Sequence, residues 1–223
     1  MRHLTLASGL VFVLIATLAP AGRNKGDDPK QDTKKYAYID LQEKGNQKLK
    51  DPFHKATPPG NNLDCLTPGE QTFADIKFKI GEKYIRLGSI KLSDKPDKVE
   101  GIKVDKRFTK LHILHATGWD TDEDTIIGEY TITWEDETTV TIPIIYGKDV
   151  LNWWVGEEAA ESGKVKIAWK GENEASKRNN RKIFLYLTTW ENPKPDKKVK
   201  TIDYSTTKET MCAPFCVAMT AEE

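Results

Sequence analysis

Between Leu111 and Trp134 the chain reads LHILHATGWDTDEDTIIGEYTITW, two runs of alternating apolar and polar residues joined by a short acidic connector. TVTIPIIYG, KVKIAWKG, RKIFLYLTTW and APFCVAMT follow in the same style. A period of two sends successive side chains to opposite faces, so each run has one face to bury and one to hydrate. A helix needs apolar residues at a period near 3.6, and the one stretch compatible with that is KDVLNWWVGEEAAESG at 148–163. The pattern therefore predicts an all-β chain with at most one short helix. Short runs separated by polar turns favour an antiparallel β-sandwich or jelly roll of about ten strands.

The segments order themselves along the chain. YAYIDL (36–41) reads as a first strand or a lead-in, and NQKLKDPFHKATPPGNN (46–62) as loop, broken by Pro58-Pro59-Gly60. FADIKFKIG (73–81) is expected as one strand with Ile76, Phe78 and Ile80 on a common face. Shorter strands are expected at 84–89 and 99–104. Longer ones follow at 110–117, 126–134, 139–146, 164–170, 182–190, 199–204 and 213–220. Residues 36–223 are taken as a single sandwich domain, long enough for a substantial core. Before it, GRNKGDDPKQDTKK (22–35) is charged and lacks apolar spacing, which predicts a disordered tether.

The first 21 residues carry the form of an export signal. Arg2 and His3 make a small basic start, Leu4–Leu18 is nearly all apolar, and Ala19-Pro20-Ala21 supplies the small residues that a signal peptidase reads. Cleavage is expected after Ala21, giving a secreted product, periplasmic or extracellular. An uncleaved anchor is the alternative, although the apolar run falls short of the ~20 residues that a spanning helix needs. No other segment could cross a bilayer. The 34 basic and 34 acidic residues balance, which leaves no electrostatic footprint for nucleic acid or anionic lipid. Cys65, Cys212 and Cys216 form an odd set. Cys212 and Cys216 would stand roughly 13 Å apart on an extended strand, beyond disulfide reach. A bridge from Cys65 to Cys212 or Cys216 and a set of free thiols both stay open.

Six tryptophans are many for this length, and all lie after residue 118. Trp134 and Trp169 alternate with aliphatic residues and are assigned to packing. Trp119 and Trp190 end their runs and belong at the rim. Trp153 and Trp154 are adjacent, so a regular element cannot point both inward. Sugar recognition combines a flat aromatic face with amides and carboxylates, and Asp149, Asn152, Trp153 and Trp154 supply these types in one short segment. Asn173, Trp190 and Asn192 occupy later connections. Gathered at one end of the sandwich, these seven residues would form a shallow polar-aromatic ligand site. The alternative puts a tryptophan of the pair into the core, with Asp149 and Asn152 capping local turns.

Signals for catalysis and cofactors are sparse, and none is expected. Read as an EF-hand, the connector Asp120–Asp124 has Thr125 where glycine is required and Thr131 where the closing glutamate belongs. A calcium site of another shape on Asp120, Asp122 and Asp124 is the alternative to a solvated turn. His112 and His115 are three apart on a strand and face opposite ways, so they are not a metal pair. No nucleophile elbow, phosphate loop or dinucleotide fingerprint is present, and no two carboxylates are singled out for glycoside hydrolysis.

The segments NQKL, GNNLDCLTPGEQTFADIKFKIG, KVEGIKV, LHILHATGW, IGEYTITWED, IPIIYGKDVLNWW, IAWKGEN and LYLTTWENPKP, in this order, carry a resemblance over about residues 36–221. The chain resembles a β-sandwich domain of exported bacterial proteins. It is similar in outline to the galactose-binding-like jelly rolls, including the NPCBM and discoidin-type modules that accompany glycoside hydrolases. The resemblance implies a non-catalytic module whose partner is a carbohydrate or another cell-surface ligand. It assigns no ligand residue by position. A structural or protein-interaction sandwich of the cell envelope is the second reading, and a small glycoside hydrolase the third.

Overall fold

The structure is a computed structural model that describes residues 34–54 and 59–223. The expected signal peptide and residues 22–33 of the expected tether lie outside the described residues. Lys34–Glu223 forms one compact unit. Lys34 and Lys35 belong to this unit, because Lys34 pairs with Glu222 and Lys35 with Glu223. No helix among the described residues is long and apolar enough to cross a membrane.

The elements, in chain order, are β1 (Tyr36–Ile39), β2 (Gln47–Lys48), β3 (Gly69–Phe73), β4 (Ile76–Ile80), β5 (Lys83–Arg86), β6 (Lys98–Lys106), β7 (Lys110–Gly118), β8 (Ile126–Trp134) and β9 (Thr139–Ile145). They continue with α1 (Glu157–Ala160), β10 (Ile167–Gly171), α2 (Glu174–Arg178), β11 (Ile183–Glu191), β12 (Val199–Thr206) and β13 (Ala213–Glu222). One antiparallel sheet runs β10-β11-β7-β13-β5-β2, with β1 on the same edge of β13 as β5. A second runs β6-β12-β8-β9, and β3 with β4 forms a separate hairpin. The two larger sheets face each other. His115 of β7 reaches across to the Tyr130 hydroxyl of β8 at 3.1 Å, and Tyr130 stacks on Tyr204 of β12 at 4.6 Å between ring centroids. The chain is an antiparallel all-β sandwich.

Alternation holds where one face meets water. β4 buries Ile76, Phe78 and Ile80 and exposes the lysines between them, and β8 buries Tyr130, Ile132 and Trp134. It fails in the centre of the large sheet. β13 is buried at every position up to Ala221, and β7 beyond Lys110, because both strands are covered on both faces. Strands in that position read as continuous apolar runs.

The element count exceeds the expected ten strands and single helix: thirteen strands and two helices stand among the described residues. The run 73–81 is not one strand. Ala74 and Asp75 take φ of 49° and 67°, which makes a two-residue hairpin turn and pairs Phe73 with Ile76. The second helix, α2, is too short to show periodicity. It exists because Asn173 and Ser176 form a reciprocal capping box at its start. The cysteine bridge is not formed, and all three thiols are free. Cys65 is exposed, whereas Cys216 lies in the core against Tyr130, and the Cys212 thiol donates to the Trp119 carbonyl at 3.5 Å. Trp134 packs as expected. Trp169 is only half-buried and lies over Gly171, where an added Cβ would come within 2.2 Å of the indole.

Candidate functional site

One end of the sandwich gathers three indoles round an open cleft of about 440 Å³. Its construction starts where β7 stops. Gly118 lets the Phe53 ring approach the backbone, for a Cβ there would sit 2.6 Å from Phe53 Cε1. Trp119 then takes φ of 62°, a left-handed conformation that costs a branched or bulky residue of order 1–2 kcal/mol and turns its indole out of the strand direction. That ring lies 5.3 Å from the His54 ring and 6.0 Å from Phe53.

The segment Leu151–Trp153 is stitched alongside. Thr117 N–H donates to the Leu151 carbonyl at 3.3 Å, Trp153 N–H to the Thr117 carbonyl at 2.9 Å, and Phe184 N–H to the Trp153 carbonyl at 2.9 Å. An irregular segment is thereby held like a strand between β7 and β11. Trp153 points inward and forms the floor, 2% exposed and packed on Phe53 and Phe215 at 4.7 and 5.8 Å. Trp154 follows at the rim. The Asn152 side-chain oxygen accepts its N–H at 3.0 Å, an Asx turn, and the Trp154 indole N–H donates to Asn61 Oδ1 at 3.0 Å.

Amides and cations complete the walls. Asn61 is tied into the loop before α2, where its oxygen also accepts from Asn173 Nδ2 at 3.3 Å. Asn173 itself is buried behind the wall. It caps α2 through Ser176 N–H at 2.7 Å and holds the Asn62 carbonyl at 3.0 Å. Past the helix, Asn179 and Arg181 reach the opening, and Arg181 Nη1 donates to the Trp154 carbonyl at 3.3 Å. No carboxylate is among the described residues lining the cleft. Burial, followed by the charge of Arg86, lowers the His54 imidazole from its ordinary value.

Of the seven residues expected at a ligand site, three line this cleft: Asn152, Trp153 and Trp154. Asn173 supports it from behind. Asp149 is elsewhere, because its carboxylate accepts the Ile145 N–H at 2.7 Å and closes a turn, and burial pushes that carboxyl up. Trp190 and Asn192 lie at the far end of the sheet. Trp190 pairs with Leu111, and Asn192 Nδ2 donates to the Phe108 carbonyl at 2.9 Å. The length of β7, roughly 26 Å at 3.3 Å per residue, separates them from Gly118. Loops leaving opposite ends of one strand cannot share a site.

Two carboxylates of the acidic connector have local partners. Asp120 accepts from the Tyr146 hydroxyl at 2.9 Å and from Asn152 Nδ2 at 3.1 Å, which fixes the Asn152 amide, while Asp124 pairs with Lys148 at 2.7 Å. Among the described residues no three His, Cys, Asp or Glu side chains are grouped to hold a metal ion. Sequence reasoning missed Phe53, His54, Asn61, Asn179 and Arg181 and placed Trp119 only at a rim. Phe53, His54 and Asn61 fall in a stretch whose prolines and glycine mark loop and say nothing of where it folds. The chain matches no protein-family model and no curated sequence.

Proposed function

We propose that the protein is a secreted, non-catalytic module that binds carbohydrate in the cleft of Trp119, Trp153 and Trp154. The observation that carries this reading is the convergence of the half-buried Trp119 and Trp154, over a floor made by the buried Trp153, with Asn61, Asn152, Asn179 and Arg181 in one open, largely pre-formed concavity. Indole rings offer a flat apolar face to the C–H side of a sugar ring, and the amides and guanidinium offer donors and acceptors to its hydroxyls. The framework hydrogen bonds of Asn61 and Asn152 fix these amides before any ligand arrives, which lowers the ordering cost of binding. Glycoside hydrolysis needs two carboxylates across the cleft, and its described lining residues include none.

The test is a glycan-array and polysaccharide-binding screen of the full chain beside its Trp154→Ala variant. Selective binding that Trp154→Ala lowers at least tenfold, with thermal stability little changed, is the expected result. Binding that survives Trp154→Ala unchanged, or no binding to any glycan, would refute the assignment.

A further inference from the structure

Arg86 closes β5 and is fixed from both sides. Its N–H donates to Asn46 Oδ1 at 3.0 Å, its carbonyl accepts from Asn46 Nδ2 at 2.9 Å, and it pairs across the sheet with Phe215. The side chain is wholly buried, 0% exposed. Its guanidinium carbon stands 3.8 Å from the centroid of the Phe53 ring, a cation–π contact that occupies the face of the group and leaves its edge. Along that edge Nε and Nη2 have no hydrogen-bond partner among the described residues.

These two nitrogens are the pair whose N–H bonds run side by side, the fork that receives both oxygens of a carboxylate. Burial lowers the guanidinium to about 10, so it keeps its proton at neutral pH. An unpaired charge in the interior costs several kcal/mol, and Asp94 acts on this one through its field. Beside the group lies a cavity of about 410 Å³, bounded also by Gln47, Pro52 and Lys95 and by the acidic residues Asp51 and Asp94. Lys95 Nζ donates to Gln47 Oε1 at 2.9 Å, and the Asp51 carboxylate, also on the wall, is turned to the Lys48 N–H at 3.1 Å. Phe53 and His54 line both this cavity and the indole cleft, and so form the partition between them.

We propose that this cavity is a carboxylate-binding subsite anchored by the Nε/Nη2 edge of Arg86, and that its ligand is an acidic, uronate-type saccharide extending from the indole cleft. The saccharide half rests on the carbohydrate reading above, and the carboxylate half does not. Neither nitrogen is open to water as the cavity stands, so binding requires the guanidinium to turn toward the cavity as the carboxylate enters.

The test compares acetate, glucuronate and glucose, at matched ionic strength in chloride, by thermal shift and calorimetry on the full chain and on Arg86→Met and Trp154→Ala. Acetate and glucuronate are expected to raise the melting temperature where glucose does not, and Arg86→Met is expected to weaken both by about tenfold or more. Glucuronate is expected to bind more tightly than acetate, with the difference lost in Trp154→Ala. Equal binding of the two anions would overturn the saccharide half while supporting the subsite. No response to either anion, or an undiminished response in Arg86→Met, would overturn the subsite itself. Should Arg86→Met fail to fold, Arg86→Lys keeps the charge and loses the fork. It too is expected to weaken acetate binding, and unchanged binding there would equally overturn the proposal.

Discussion

Replacing Trp153 by alanine is the sharpest test of how the cleft is built, because the residue sits where packing and recognition meet. It is 2% exposed, with ring neighbours Phe53, Phe215 and Trp154 at 4.7, 5.8 and 6.2 Å. An indole so placed buries on the order of 200 Å² of side chain. At 25 cal/mol/Å² that corresponds to about 5 kcal/mol, and large-to-alanine changes at buried aromatic sites cost about 3–5 kcal/mol. The stitching by Thr117 and Phe184 uses backbone atoms only, so the surrounding chain is held in place and does not collapse into the void. The loss should therefore fall in the upper part of that range and lower the melting temperature by roughly 8–15 °C for a domain of this size. Urea unfolding with an unchanged slope and a lowered midpoint would report it. Trp154→Ala, by contrast, removes a half-buried ring and one hydrogen bond to Asn61, whose oxygen Asn173 still serves. A Trp153→Ala loss below about 1.5 kcal/mol, or one no larger than that of Trp154→Ala, would refute the assignment of Trp153 to the floor.

Two further outcomes follow from the same geometry. Gly118→Ala drives a methyl against a Phe53 ring already wedged between Arg86 and Trp153, so a loss of about 1–3 kcal/mol is expected on urea unfolding, and a near-zero effect would show that the ring tilts freely. His115 is fully buried between the Tyr130 and Thr188 hydroxyls, and burial lowers its imidazole from 6.5 to about 3. The unfolded chain then binds a proton that the folded chain refuses, so stability is full above pH 6.5 and falls toward pH 3. This one group contributes a slope of up to about 1.4 kcal/mol per pH unit. Ring resonances of His115 that titrate near 6.5 in the folded protein would contradict it.

The fold was legible because β4, β8 and β9 hydrate one face, and period-two alternation survives wherever that is so. β7 and β13 were found by their apolar density instead, since double coverage erases alternation. The Ala74-Asp75 turn escaped notice because neither residue is glycine or asparagine, the usual markers of positive φ in a hairpin. The site was legible only within the segment 152–154, where recognition chemistry is contiguous. Asp149, Asn152 and Asn192 all carry suitable groups and all are engaged in local hydrogen bonds; what separates Asn152 is its place on the cleft wall, which composition does not disclose. Phe53, His54 and Asn61 come from a loop more than fifty residues away in sequence, brought in by tertiary contacts that no local pattern encodes.

The place of β13 bears on how the sheet comes into being. It lies between β7 on one edge and β1 with β5 on the other, so it is the keystone of the large sheet, yet it is made after all three. Until Ala213–Glu222 leaves the ribosome, the two halves of that sheet have nothing to join them, and the Phe215 side of the core stays open. β1 then pairs with residues 180 or more positions downstream, with Tyr36 opposite Glu222. Contacts this distant in sequence must pay their loop-closure entropy before they return any stability, which places folding in the slow, millisecond-to-second range of all-β topologies. Before Ala213–Glu222 joins, β7 on one side and β1 with β5 on the other present open strand edges, and closure of the large sheet waits on this strand.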